Sequence, residues 1–256
     1  MANKDNTLFL LGGHDLEMLT IKRILEEHGY QVMDRNLSWG ARLSSYRDVL
    51  EHADDHLTSI FGIELTDDLM VTDTRYHLID HHNANSLLQS SLEQVVALIG
   101  HILTDEEKLI AANDTGYIPA MAALGASKET IDDIRLRDRK AQGVTEVDEN
   151  LAAVSISRYL ERIGNTLVER SLTPHFSTIC DRLFPFLRLF VFNDEEWTFY
   201  GDGKSALALE FAPEIAGGRI YHGGGENGYI GAAKGAFSMD EINSFVSTIK
   251  MRYEYV

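Results

Sequence analysis

The chain has 256 residues, 44% of them hydrophobic and 25% charged, enough to bury one large core or two modest ones. Its formal net charge of −17 disfavours broad electrostatic adhesion to a nucleic-acid duplex, and its single cysteine, Cys180, excludes an intramolecular disulfide and a thiolate metal cage. No apolar run reaches the roughly 20 residues of a membrane span, and the start MANKDNTLFLLGG lacks a basic region leading into a cleavable apolar stretch, so the expected location is a reducing cytoplasm.

In chain order, short apolar strands alternate with amphipathic helices: TLFLLGG, DLEMLTIKRILEEHG, SIFGIEL, YHLIDHH, SLEQVVALIGHIL and TDEEKLIAANDTG. This alternation predicts a parallel sheet with crossover helices over residues 1–143. TEVDENLAAVSISRYLERI opens on a Thr-x-x-Asp cap signal and predicts a connecting helix within residues 144–165. Residues 166–256 turn β-rich, with LRLFVFN, EEWTFYG, the glycine-rich GGRIYHGGGENGYIGAAKG and a last helix from Ser238. They predict a smaller α+β domain.

Four polar clusters sit where strands or helices end. After the first strand, GGHDLE supplies His14, Asp15 and Glu17, although Asp15 by itself reads first as a helix N-cap. Glu64 closes SIFGIEL; its rival Asp73 falls where a turn is expected. HLIDHH, read as burying Leu78 and Ile79, ends on Asp80, His81 and His82, and the helix LIAANDTG ends on Asp114 or simply turns there. Open α/β sheets place ligands at the C-terminal ends of their strands, and carboxylates gathered on one rim repel one another unless a cation sits among them. Oxygen and imidazole donors without sulfur suit Mn²⁺ or Mg²⁺.

The order GHDLE, GIEL, IDHHN, ANDTG and a late HGGGENGYIGA resembles the DHH phosphoesterase superfamily over most of the chain, IDHH being the most specific motif. The resemblance implies a DHH domain, a linker helix and a smaller substrate-binding domain, with two-metal hydrolysis of phosphoesters, usually with Mn²⁺. It implies metal ligands at Asp15, Glu17, Glu64, His81 and Asp114, with Asp80 orienting His81 and His82 facing the phosphate. Where the family has a histidine and a second aspartate in its first motif, this chain has Leu11 and Glu17, so either His14 takes the histidine's place or one metal site is weakened. The family's Gly-Gly-Gly-His becomes Gly223, Gly224, Gly225 and Glu226, a loop that with Asn227 would receive a base, a ribose hydroxyl or an amine.

Other features carry paired readings. The triple glycine is an anion-binding nest or a plain turn. IRLRDRKAQG, with Arg135, Arg137, Arg139 and Lys140, is a solvated helix face or the local positive charge that an anionic substrate needs. Trp39 and Trp197 stack on a base or pack in a core. Two functions follow: a metal-dependent phosphoesterase acting on a short oligonucleotide, cyclic dinucleotide or other small phosphoester, or a catalytically altered nucleotide-binding or regulatory protein. Neither needs a membrane or an extended duplex, and both leave self-association open.

Overall fold

The computed structural model describes residues 2–38, 40–82, 85, 88–224 and 228–254, and it divides into two compact units, Met1–Gly143 and Val144–Val256. In the first unit, β1 (Thr7–Leu11), β2 (Gln31–Asp34), β3 (Ser59–Ile63) and β4 (Tyr76–Ile79) form a parallel sheet in the order β2-β1-β3-β4. β1 is buried along its whole length because both faces are covered. Phe9 and Leu11 pack with Ile21, Ile24 and Leu25 of α1 (Leu16–Glu27). Leu8 and Leu10 pack with Leu43, Tyr46 and Ile60 on the other side, beside the short α2 (Arg47–Glu51).

Edge strand β2, QVMD, is only half-buried, and its weak apolar pattern does not reveal it in the sequence. The other edge corrects one expectation: Leu78 in β4 stays 45% exposed, because an edge strand has a neighbour on one side only, whereas Ile79 is buried.

α3 (Ser91–Ile99) starts on a capping box made by Ser90 and Glu93 and stops at Gly100, whose φ of 76° is cheap only for glycine. α4 (Asp105–Ala123) starts on a second capping box, Thr104 with Glu107. It does not turn off at Asn-Asp-Thr-Gly. It runs on to a break at Tyr117 and resumes through Pro119, which suits the first turn of a new helical segment. α5 (Lys128–Ala141) follows from an N-cap at Ser127.

The second unit opens with α6 (Glu146–Tyr159), which packs against its own neighbours α7 (Ser177–Leu183) and β6 (Thr166–Arg170). The helix ends at Tyr159, earlier than its apolar spacing suggests. Glu161–Ile163 instead form β5, hairpinned onto β6 through Gly164 at φ 56°. β7 (Arg188–Phe192), β8 (Trp197–Gly201), β9 (Ile220–Gly223) and β10 (Tyr229–Ala232) complete a mixed sheet in the order β5-β6-β7-β8-β10-β9. One face of the sheet carries α6 and α7. The other buries Phe190, Trp197, Phe199 and Ile230 against Ile242 and Ile249 of α10 (Met239–Tyr253), beside α8 (Lys204–Glu210) and α9 (Ala212–Ala216). Trp197 is 1% exposed, its ring 4.3 Å from that of Phe245, so it is a packing residue. Among the described residues no helix is long and apolar enough to cross a membrane.

Candidate metal centre

β1, β3 and β4 run parallel, so their C-terminal ends deliver three loops to one edge of the sheet. The β1–α1 loop holds Gly12, Gly13, His14 and Asp15. A side chain on Gly12 would overlap the carbonyl oxygens of Ile63 and Glu64, so this backbone approach requires glycine. Glu64 follows β3 directly and has φ 52°, a left-handed conformation costly for a residue with a Cβ and frequent at functional sites. Its backbone is tied across the sheet by Glu64 N–H donating to Ile79 O at 2.8 Å, and its Oε1 accepts from Ser91 Oγ at 2.8 Å.

Four side chains converge. Glu17, in the first turn of α1, is 3% exposed, and its Oε1 accepts from the Leu92 N–H at the start of α3 at 3.0 Å. His81 Nε2 lies 3.4 Å from Glu64 Oε1, 3.8 Å from Glu17 Oε2 and 2.5 Å from Asp114 Oδ2. One donor atom from each of Glu17, Glu64, His81 and Asp114 falls within 4.8 Å of the other three. Three of these atoms, Glu17 Oε2, His81 Nε2 and Asp114 Oδ2, are buried without a hydrogen-bond partner among the described residues; the close His81–Asp114 approach lacks the alignment of a hydrogen bond. Buried polar atoms are ordinarily paired, so three orphans aimed at one point fit a divalent cation, and their N/O chemistry fits a hard or borderline one. A second overlapping set comprises Glu64, His81 and His82, with His82 Nε2 3.5 Å from Glu64 Oε2.

Without a cation, this crowding is relieved by protons. Burial, reinforced by Asp114 and Glu64, raises the Glu17 carboxyl well above its ordinary value and pushes Asp15 up to about 7. Burial acts against the charged form of His81, but Asp114 and Glu64 outweigh it and carry the imidazole up to about 10. Burial likewise opposes ionisation of Glu64, and the contacts with His81 and His82 overcome it, holding Glu64 well below the usual carboxylate range.

The remaining candidates divide. Asp15 caps α1, its Oδ1 accepting from Met18 N–H at 2.8 Å, and neither donor set includes it. His14 lines the adjoining cavity but belongs to neither set. Asp80 does not brace the His81 ring: Oδ1 accepts from the His82 N–H at 3.0 Å and Oδ2 from Asn85 Nδ2 at 3.3 Å, so it orders the loop instead. Asp73 sits in a turn bonded to Arg75 Nη2 at 2.8 Å, away from the cluster. In the second unit, Gly223 and Gly224 end β9 and begin its turn, while Gly225, Glu226 and Asn227, like Trp39, lie outside the described residues.

The basic run on α5 is not one solvated face. Arg135, Asp138 and Arg139 are each 5–7% exposed, whereas Arg137 makes surface pairs with Glu106 and Asp133. Arg135 Nη1 donates to Asp138 Oδ2 at 2.7 Å and to Asn113 Oδ1 at 2.9 Å. Nothing in the spacing of IRLRDRKAQG marks those two cations as buried, and Ser91, which steadies Glu64, reads only as a helix-start serine. A cavity of about 980 Å³ opens beside the cluster, lined by His14, Asp15, Asn36, Glu64, Asp80, His82 and Lys140 among others.

No family model and no curated protein matches the chain. Solved structures do. The chain is similar to a pGpG-specific phosphodiesterase, PggH from Vibrio cholerae, at TM-score 0.52 and 12% identity, over 97% of this chain and 98% of that one. It is also similar to the DHH domain of a protein described as a member of a family of ribosomal proteins, at TM-score 0.57 and 11% identity, over 98% of this chain and 87% of that one. The chain has the DHH-domain fold. In this DHH-fold protein the Asp80-His81-His82 run lies just after β4, and it places His81 in both donor sets and His82 in one.

Proposed function

We propose that this DHH-fold protein is a metal-dependent phosphoesterase acting on a small phosphoester, with a short oligonucleotide or cyclic dinucleotide as the favoured class and Mn²⁺ as the favoured ion. The observation that carries the reading is the convergence of three buried donor atoms from Glu17, His81 and Asp114, without hydrogen-bond partners among the described residues, beside a cavity large enough for a nucleotide. Glu17, Glu64, His81 and Asp114 would hold the cation, which when bound lowers the pKa of a water and neutralises charge on the scissile phosphate.

The chain's own residues do the rest. Leu92 N–H and Ser91 Oγ fix the orientations of Glu17 and Glu64 before any ligand arrives, so little reorganisation is needed. The His82 side chain is 38% exposed, and its contact with Glu64 raises its pKa, which suits a hydrogen-bond or proton donor toward a phosphate oxygen. Asp80 holds the backbone of that loop. Among the described residues lining the cavity, Lys140 is the single lysine or arginine, and it supplies the positive charge that an anionic substrate needs in a protein of net charge −17.

One observation favours a second reading, a nucleotide-binding protein with altered chemistry: the Asp15 carboxylate is committed to capping α1. Metal content of the purified protein, measured with and without chelator, followed by turnover assays on dinucleotides including pGpG, cyclic dinucleotides, pyrophosphate and nucleoside monophosphates, separates the two. Metal-dependent hydrolysis of any of these supports the first reading. Metal-loaded protein that turns over none of them supports the second.

A further inference from the structure

The ligand-bearing segments of α1 and α4 are joined by a buried polar network on α5. Asp138 uses both oxygens: Oδ1 accepts from the Leu16 N–H at 3.2 Å and Oδ2 from Arg135 Nη1 at 2.7 Å. The same Arg135 nitrogen donates to Asn113 Oδ1 at 2.9 Å, and the guanidinium lies 4.6 Å from the centre of the Tyr117 ring. Leu16 stands between Asp15 and Glu17, and Asn113 immediately precedes Asp114. Asn113, Arg135 and Asp138 are 5–7% exposed, so these are desolvated charge-assisted bonds with defined geometry.

The backbone they hold is strained. Tyr117 has φ 58° and ψ −151°, a costly region that residues other than glycine scarcely enter. Such a conformation persists only where surrounding contacts over-determine it, and the Arg135 guanidinium against the Tyr117 ring is one of them. Arg135 thus grips α4 on both sides of Asp114, at Asn113 and at Tyr117, while Asp138 fixes the start of α1 from the same helix.

We propose that Arg135, acting through Asn113 and Asp138, is a positioning residue that sets the spacing of Glu17 and Asp114 and thereby the affinity of the cation site. This rests on the cation reading given above. A buried aspartate–arginine pair is not needed for stability alone, because apolar residues of similar volume often serve as well or better. Its use here is geometric.

The test is Mn²⁺ affinity by isothermal titration calorimetry on the full-length chain, with circular dichroism and thermal unfolding of the metal-free protein in parallel. Arg135→Met is expected to weaken Mn²⁺ binding by about tenfold or more at a temperature where the variant is folded. Arg135→Lys keeps the charge for Asp138 but lacks the planar fork, so it should recover part of the affinity. Asn113→Ala removes one acceptor, leaves the Leu16–Asp138 bond intact and decides the matter should Arg135→Met fail to fold. A purely structural role would lower thermal stability and leave the affinity of folded protein untouched. Wild-type affinity in folded Arg135→Met or Asn113→Ala overturns the proposal while sparing the metal site; wild-type protein that binds no divalent cation overturns both.

Discussion

A Cβ on Gly12 would overlap the carbonyl oxygen of Glu64, so the first strand's exit loop and the strained Glu64 just after β3 are packed backbone to backbone. Adding even a methyl group must push Glu64 off its position. Gly12→Ala is therefore expected to destabilise the protein by about 1–3 kcal/mol and to weaken Mn²⁺ binding in the fraction that folds. Gly13→Ala is the control, since its Cβ would meet nothing closer than Met18 Cε at 3.5 Å. Equal Mn²⁺ affinity in the two variants would show that the Glu64 backbone tolerates displacement.

Glu64 and Asp73 are separated by role. Glu64 is half-buried among ligand atoms of both donor sets, whereas Asp73 bonds Arg75 in an exposed turn. Glu64→Gln should strip metal from the purified protein, and Asp73→Asn should leave metal content unchanged. Elemental analysis after dialysis reads the outcome directly, and metal loss in Asp73→Asn would place a ligand where the geometry has none.

Cation and protons compete at this site. In the metal-free cluster His81 keeps its proton up to about 10 and the Glu17 carboxyl is also raised, as is the neighbouring Asp15, to about 7, so a cation must displace ligand protons to bind. Mn²⁺ affinity should rise as pH rises from about 6 to about 8. Titration calorimetry in buffers of different ionisation enthalpy should show net proton release on binding. An affinity that stays flat over this range would mean that the ligands are already deprotonated.

Glu169 on β6 is fully buried with neither oxygen hydrogen-bonded among the described residues, and burial pushes its carboxyl up to about 7 from an ordinary 4.5. Between those pH values the unfolded chain gives up a proton that the folded chain keeps, so stability falls as pH rises through the window. Above pH 7 the loss attributable to Glu169 is about 3 kcal/mol. Glu169→Gln should therefore be more stable than wild type at about pH 8, with the difference shrinking toward about pH 5, measured by urea unfolding. A difference that does not vary with pH would mean that Glu169 ionises freely in the folded protein.

Local chemistry by itself determined a good part of this protein. Period-2 and period-3.6 patterns, caps at Asp15 and Ser238, and glycines after strand ends specify an α/β unit followed by a mixed α+β one, because each signal acts within a few residues. Edge strand β2 and the β5–β6 hairpin escaped that reading. A four-residue edge strand and a three-residue hairpin arm bury too little to impose a period on the sequence. The cluster-bearing segments were legible as acids and histidines near strand ends, except that Asp114 sits inside α4 rather than at its end.

Which of those side chains meet was decided only by tertiary structure. Asp15 and Glu17 are two residues apart, yet one caps its own helix and the other is buried against Leu92, 75 positions away. The α5 charge run divides the same way: Arg137 pairs at the surface, while Arg135 and Asp138 turn inward to hold Leu16 and Asn113. Sequence spacing records the phase of a helix, but it carries no term for what the opposite face packs against. Burial, and the orphaned ligand atoms it creates, exist only once the strands have fixed their order and the loops have met.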